Sequence, residues 1–343
     1  MIQEAISKLV QKHDLAEAET EQVMEEIMEG KSTDAQIAGF LVALRLKGET
    51  IDEITACAKI MRQKAHIINP KVKFLVDTCG TGGDNSNTFN ISTAAAFVVS
   101  GAGVAVAKHG NKSVSSKCGS ADVLKELGVN IELQPKQVEK CIEEIGLGFM
   151  FAPIFHPAMK YALNARKELG IRTIFNILGP LTNPANAKSQ LVGVFDEKLL
   201  ANFIKVLKNL GSKHVIAVNG KGLDEISICS KTKVYELKNG AIESYEINPE
   251  DFGFSCRELK EIMGGSPQEN AKIILDILQG ADGPKRDVVL LNAAAALLTT
   301  GIVNNYKDAV ELATNSIDSG KALEKLKDLI NFTNGNAKQN NWK

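Results

Sequence analysis

The chain has 343 residues, 40 of them lysine or arginine and 41 aspartate or glutamate, for a formal charge of −1. With 44% hydrophobic and 24% charged residues it has the composition of a soluble globular protein, and its length suits about two domains that bury roughly three quarters of the unfolded surface. High apolar content with near-zero net charge excludes a disordered chain, and the lack of a basic excess excludes a general nucleic-acid coat.

The N-terminus is polar and acidic within its first residues, unlike a secretory signal. Ile2, Ala5, Ile6, Leu9 and Val10 have helical spacing, and a second helix over about 16–28 stops at Gly30. Thr33-Asp34-Ala35-Gln36 is a capping-box pattern ahead of a helix over 37–46 that Gly48 ends. Thr50-Ile51-Asp52-Glu53 is another, opening a helix to about residue 65. Residues 1–69 thus read as a small helical domain.

The pattern changes at Asn69-Pro70. Short apolar runs over 74–76, 104–107, 191–195 and 215–218 fit buried strands. Helical patterns follow at 91 onward, 121–127, 137–145 and 199–210. This alternation predicts an α/β unit with a mainly parallel sheet covered on both faces. Lys238-Asn239-Gly240, between two alternating runs over 233–247, predicts a hairpin. From Ser266 onward the chain reads as helical, with 288–298 apolar nearly all round and so central. The longest small-apolar run, 94–107, is interrupted by Ser100, Gly101 and Gly103 and falls short of the ~20 residues a membrane span needs. The six cysteines form no C-x-x-C pair, so reduced cytosolic thiols are expected rather than a zinc site or disulfide framework.

Four segments carry chemistry. Asp77-Thr78-Cys79-Gly80-Thr81-Gly82-Gly83-Asp84 sits between a strand and the helix opening at Asn90-Ile91-Ser92-Thr93. Its glycines permit φ > 0 and close backbone approach, and a helix N-terminus aimed at the same loop favours a phosphate or pyrophosphate. It is neither a P-loop nor the G-x-G-x-x-G fingerprint, since Asn85 holds the third glycine position. A tight turn with no ligand is the plain alternative. The second segment, Lys108 to Asp122, follows a strand and carries three lysines and four serines, another anion cradle at a sheet's carboxyl edge. Within it Asp122 reads as a helix cap and His109 as a packing residue rather than an acid or base.

Third, Asp224-Glu225 follow a strand and Asn219-Gly220-Lys221-Gly222. An exposed acidic turn would be ordinary. Beside two anion loops, the pair fits Mg²⁺, which takes one or two carboxylates plus waters and substrate phosphates. Fourth, a helix starting at Pro157 places Ala162, Leu163 and Arg166 near one face. Arg166 is able to hold a carboxylate in bidentate fashion, though spacing alone does not distinguish it from a solvated arginine.

These residues resemble the anthranilate phosphoribosyltransferases of tryptophan biosynthesis. The resemblance rests on the glycine loop, Asn90-Ile91-Ser92-Thr93, Lys108-His109-Gly110-Asn111, Gly119-Ser120-Ala121-Asp122, His156-Pro157-Ala158-Met159, 172–184, Gly222-Leu223-Asp224-Glu225 and Asn292-Ala293-Ala294-Ala295, in order over nearly the whole chain. It implies a nucleoside-phosphorylase-like fold: a helical domain of residues 1–69 joined by a segment of about 166–187, and an α/β domain of 70–165 and 188–343. It implies transfer of phosphoribose from 5-phosphoribosyl 1-pyrophosphate to the amine of anthranilate, with two Mg²⁺ per monomer, in a cytoplasmic homodimer joined through the helical domains.

By the same resemblance Gly80, Gly83, Asp84, Thr88, Asn90, Ile91, Ser92 and Thr93 bind the donor. So do Lys108, His109, Gly110, Asn111, Lys112, Ser113, Val114, Ser115, Ser116 and Ser120. Ser92, Asp224 and Glu225 hold Mg²⁺. Gly80, Asn111, His156 and Arg166 meet anthranilate, and no general base is required. Lys112 stands where the family has arginine and Cys118 where it has serine, so a planar fork and a strong hydroxyl are replaced. The rival readings are a pyrimidine nucleoside phosphorylase-like enzyme, whose Lys-x-Ser/Thr-Thr-Gly-Gly-Val-Gly-Asp loop is absent here, and a nucleic-acid-binding relative, which the net charge disfavours.

Overall fold

The computed structural model describes residues 1–113 and 117–335. Four helices come first: α1 (Ile2–Val10), α2 (Glu17–Met28), α3 (Asp34–Lys47) and α4 (Ile51–Gln63). Both expected capping boxes form. Thr33 Oγ1 accepts from Gln36 N while Gln36 Oε1 accepts from Thr33 N at 2.9 Å. Glu53 closes the second box at 2.8 Å from Thr50 N, and also accepts from Leu15 N and Lys47 Nζ. That buried carboxylate therefore ties two loops of the bundle together.

The sheet follows, in spatial order β3-β2-β1-β4-β5-β6-β7. In chain order it is built from β1 (Leu75–Gly80), α5 (Ile91–Gly101), β2 (Ala105–Gly110), α6 (Ser120–Glu126), α7 (Pro135–Ile145) and β3 (Leu147–Phe151). Next come α8 (Ala152–Phe155), α9 (Lys160–Leu169), α10 (Phe175–Leu178), β4 (Ser189–Gly193), α11 (Leu200–Asn209), β5 (His214–Asn219) and the hairpin β6 (Thr232–Lys238) and β7 (Ala241–Ile247). Four helices close the chain: α12 (Pro267–Leu278), α13 (Pro284–Thr300), α14 (Tyr306–Asp318) and α15 (Lys321–Thr333). β1 to β5 pair in parallel, and the hairpin adds antiparallel strands at one edge.

Both faces are covered, as the alternation predicts. Leu191, Ile216 and Val218 join the core under α5 and α13, whereas Val192, Val215 and Ala217 join the core shared with α11 and the N-terminal helices. α9 packs on α2 and α3. β3, fully buried, was not expected: its five residues hold glycine and methionine and lack β-branching, so they give no strand pattern. β1 and β2 each run farther than their apolar cores suggest, because Asp77, Thr78 and Lys108 are buried strand residues.

A polar brace closes the hairpin edge. His214 Nε2 lies 2.7 Å from Glu236 Oε1, and Tyr245 Oη donates to Glu236 Oε2 at 2.8 Å. The His214 bond, chiefly, holds the Glu236 carboxyl below the usual range. A depressed carboxyl stabilises above its unfolded value near ~4.3, and that stability is lost as pH falls through the native value. Thermal melts are therefore expected to show Glu236→Gln less stable than wild type at pH 7, with the difference gone at pH 3.

Candidate active site at the carboxyl edge of the sheet

β1 leads through α5 to β2 on one side, while β4 lies on the other, so the strand order reverses between β1 and β4. Ligands of open α/β sheets bind in the crevice outside the carboxyl ends of strands at such a point. Gly80 ends β1, Gly193 ends β4, and the two pair in register. Asp224 lies over both: a Cβ on Gly80 would stand 2.4 Å from Asp224 Oδ2, and one on Gly193 only 1.5 Å from the Asp224 carbonyl. Two strand tips without side chains make room for one carboxylate.

The loop after Gly80 folds back on this carboxylate. Gly82 and Gly83 have φ of 68° and 75°, the left-handed conformation that favours glycine. Gly82 N donates to Asp224 Oδ2 at 2.6 Å, and Asp84 Oδ2 lies 3.4 Å from Asp224 N. Among the described residues the N–H groups of Gly83 and Asp84 have no partner. Two unengaged amides beside two left-handed glycines are the anion cradle the sequence predicts. Thr88 sits farther along, bridged to Met263, with its hydroxyl 3.2 Å from Ser86 Oγ.

The N-terminus of α5 differs from expectation. Ser92 N donates to Glu225 Oε1 at 3.1 Å, and the N–H groups of Ile91 and Thr93 bond to the carbonyls of Phe89 and Asn90. The helix dipole therefore holds the Glu225 carboxylate. Ile91 and Thr93 are buried, the Thr93 hydroxyl without a partner among the described residues. Asn90 joins Cys118 and Asn270 by its side chain, and Cys118 Sγ donates to Asn90 Oδ1 at 3.3 Å, so the thiol keeps a bond in the position where serine was expected.

Asp224 and Glu225 point to different elements, the first to the glycine loop and the second to α5. From beneath, Asn292 of α13 clamps the next residue: its Oδ1 accepts from Ile226 N at 3.0 Å and its Nδ2 donates to Ile226 O at 2.9 Å. Burial, then the charges of Asp84 and Glu225, raises Asp224 well above the carboxylate range. Burial chiefly raises Glu225 to about 8, although Lys108 pulls it down. Lys108 Nζ, itself lowered by burial, donates to Thr78 O at 2.5 Å and Ser92 Oγ at 3.2 Å.

These carboxylates are short of positive charge, and hard oxygen donors of this kind fit Mg²⁺. Among the described residues no group of three His, Cys, Asp or Glu forms a ready-made cage. Mg²⁺ needs none, since it completes its shell with water and phosphate oxygens.

The second anion segment starts within β2, so Lys108, His109 and Gly110 are strand residues. Asp122 acts as the cap expected of it, accepting from Gly119 N at 2.9 Å and Ser113 N at 3.0 Å. Asn111 Oδ1 accepts from Lys112 N, and Ser120 Oγ reaches Asn111 O at 3.4 Å. Val114, Ser115 and Ser116 lie outside the described residues.

His109 and His156 pack against each other, and Arg166 lies on α9. The two histidine rings are 5.0 Å apart, and burial, foremost, holds them neutral, near 3 and 4. His109 Nδ1 lies 3.2 Å from Gly179 O, a carbonyl that only accepts, so Nδ1 carries the proton and the buried Nε2 is an acceptor without a partner among the described residues. Arg166 stacks 5.0 Å over the Phe175 ring, is lowered by burial, and among the described residues has no carboxylate partner. Leu163, expected on the same face, is 61% exposed, whereas Ala162 and Ala165 turn inward.

Sequence reasoning missed Gln190, Gly193 and the parts played by Arg172 and Asn292. Gln190 Nε2 bonds Asp77, Cys79 and Pro180 O, tying β1 and β4 to the segment carrying Gly179. Arg172 and Asn292 stood inside recognised motifs without a role, and nothing in the sequence marks Gly193 as special.

This two-part architecture matches two family models: the helical bundle domain of a glycosyl transferase family over residues 3–65 and its a/b domain over 72–323. The anthranilate phosphoribosyltransferase of Alkaliphilus metalliredigens is 56% identical over 97% of this chain and 98% of its own length. The crystal structure of the Thermus thermophilus anthranilate phosphoribosyltransferase is 41% identical with a TM-score of 0.91, covering 96% of this chain and 99% of that one. The Saccharomyces cerevisiae enzyme in complex with PRPP and Mg is 29% identical with a TM-score of 0.90, covering 97% and 98%. The chain belongs to the anthranilate phosphoribosyltransferase family.

Proposed function

We infer that the chain transfers the 5-phosphoribosyl group from 5-phosphoribosyl 1-pyrophosphate to the amine of anthranilate and releases pyrophosphate, a step of tryptophan biosynthesis. The observation that carries this reading is the pair of unengaged amides at Gly83 and Asp84 on a loop folded against a buried, charge-deficient carboxylate pair at the carboxyl ends of β1 and β4.

In the reaction the anomeric C–O bond breaks and its electron pair leaves on the diphosphate. The anomeric carbon gains oxocarbenium character. The amine lone pair forms the C–N bond, and one amine proton is lost. Leaving-group charge is the main barrier, so preorganised donors at the diphosphate contribute most. The amides of Gly83 and Asp84, the segment that follows β2 and Ser120 supply them. Ser92, Asp224 and Glu225 hold Mg²⁺, two per monomer, which when bound offsets the charge of the departing diphosphate.

The aromatic amine is neutral at pH 7 and needs placement more than deprotonation, so no general base is assigned. Gly80, Asn111, His156 and Arg166 place the acceptor. Closure about 69–70 and 166–187 keeps water, the competing nucleophile, from the activated sugar.

The helical unit carries exposed Val10, Leu46 and Leu163 on α1, α3 and α9, apolar side chains that support a homodimer formed there. A cytoplasmic setting accords with buried thiols such as Cys57, Cys79 and Cys141 that form no disulfide among the described residues.

Arg166→Ala is expected to raise the KM for anthranilate roughly 10- to 100-fold, the loss of a charged hydrogen-bonding partner, with little change in donor KM. Steady-state kinetics with each substrate varied checks this, and equal effects on both contradict the assignment. The activity itself is tested by mixing protein, Mg²⁺, donor and anthranilate and following loss of anthranilate fluorescence. Phosphorolysis of thymidine or uridine is expected to be absent.

A further inference from the structure

One residue joins the glycine loop, by its side chain, to the helical unit, by its carbonyl, and has no part in the mechanism above. Arg172 lies between α9 and α10. Its Nη2 donates to the carbonyl of Gly83, and its guanidinium stacks 4.4 Å over the Phe195 ring. Its own carbonyl accepts from Arg45 Nη1 of α3. The fit is close: a Cβ on Gly83 would stand 3.0 Å from Nη2 and 3.3 Å from Cζ. Phe195, beneath the guanidinium, donates its N–H to Thr81 Oγ1 at 3.0 Å, so the stacking platform is fixed to the same loop.

A trans peptide is planar, with its carbonyl and the following N–H pointing in opposite directions. Holding the Gly83 carbonyl against Arg172 therefore turns the Asp84 N–H away from the guanidinium. That N–H is one of the two unengaged amides of the cradle.

We propose that Arg172 is a positioning residue that sets the amides of the donor loop and, through Arg45, makes the loop's geometry depend on the seating of the helical unit. The proposal rests on the loop being the donor's diphosphate site. Arg166 lies six residues earlier on the same connection, so the segment that meets the acceptor also braces the donor loop.

The test compares full-length wild type with Arg172→Ala, Arg172→Lys and Arg45→Ala, by kinetics, by calorimetric titration of Mg²⁺-pyrophosphate and by thermal melts. Arg172→Ala is expected to raise donor KM and weaken pyrophosphate binding about tenfold or more, with anthranilate KM nearly unchanged. Arg172→Lys recovers only part, because an ammonium neither stacks nor presents a planar fork. Arg45→Ala shifts donor KM in the same direction but less.

Unchanged donor KM and pyrophosphate affinity in Arg172→Ala overturn the proposal. A rise confined to anthranilate KM, or full rescue by lysine, also overturns it, since either makes Arg172 a direct substrate contact. Loss of thermal stability with normal constants for the folded fraction makes it merely structural. A wild type that consumes no anthranilate refutes the transferase reading instead, and the pyrophosphate titrations still judge Arg172.

Discussion

Gly193→Ala is expected to abolish most activity and to lower the thermal midpoint. The added Cβ would stand 1.5 Å from the Asp224 carbonyl oxygen and 2.2 Å from its carbon, both far inside any non-bonded contact. Neither neighbour is a flexible side chain able to step aside. Gly193 is at the end of a strand paired on both sides, with Gly80 and Val218, so the strand does not yield, and the acidic turn must move. Overpacking of this kind costs about 1–3 kcal/mol, or several degrees of midpoint in a protein of this size.

The larger effect falls on catalysis. Displacing Asp224 removes the acceptor of the Gly82 amide and shifts a carboxylate assigned to Mg²⁺, so turnover is expected to fall at least ~10²-fold, as when one preorganised stabilising donor is lost. Gly39→Ala in α3 is the control. Its Cβ would meet only Ile6 Cδ1 at 3.4 Å, and alanine favours a helix. Assays and melts of the two variants decide, and equal activity contradicts the placement of Asp224.

Glu225→Gln is expected to separate stability from activity. The glutamine oxygen still accepts from Ser92 N, so the turn keeps its place. Turnover is expected to fall ~10²–10³-fold, because a buried charge facing the leaving group is gone. Stability at neutral pH is expected to hold or rise, since burial and the nearby carboxylates make the charged Glu225 unfavourable in the folded state.

The sign also gives a pH signature. In the absence of a cation native Glu225 keeps its proton up to about 8, whereas the unfolded chain loses it near ~4.3. The native state binds more protons between these values, so stability falls as pH rises through the window. Mg²⁺, binding the native state alone, restores it. Melts from pH 5 to 9 with and without Mg²⁺ are expected to show a steeper slope in wild type than in Glu225→Gln, where only the raised Asp224 remains. Identical slopes contradict a buried titrating carboxylate at this place.

Local signals explain what the sequence makes legible. The capping boxes at Thr33 and Thr50 each involve residues three apart, and the hairpin turn at Asn239-Gly240 is marked by its own backbone needs. The glycine loop was visible because left-handed backbone demands glycine or asparagine, and Gly82, Gly83, Asn85 and Asn87 all take positive φ. β3 was not visible, because burial on both faces leaves no alternation to read.

Long-range relations were hidden for a different reason. The direction of the Ser92 amide toward Glu225 joins residues 133 apart, and the Asn292 clamp on Ile226 joins residues 66 apart. Arg172 reaches Gly83 across 89 positions. None of these partners shares a helix or strand period with the other. Polar strand residues misled in the opposite sense: Asp77 and Lys108 look like loop residues, yet both are buried in strands, where Gln190 meets one Asp77 oxygen and Thr78 and Ser92 take the Lys108 ammonium.

A crystal structure of the protein with Mg²⁺ and 5-phosphoribosyl 1-pyrophosphate is the most direct measurement. The account predicts diphosphate density over the β1–β4 crevice, its oxygens on the amides of Gly83 and Asp84, with metal between it and the Asp224–Glu225 turn. Diphosphate bound away from that crevice, or with the glycine loop and the acidic turn on unrelated surfaces of the ligand, would contradict it.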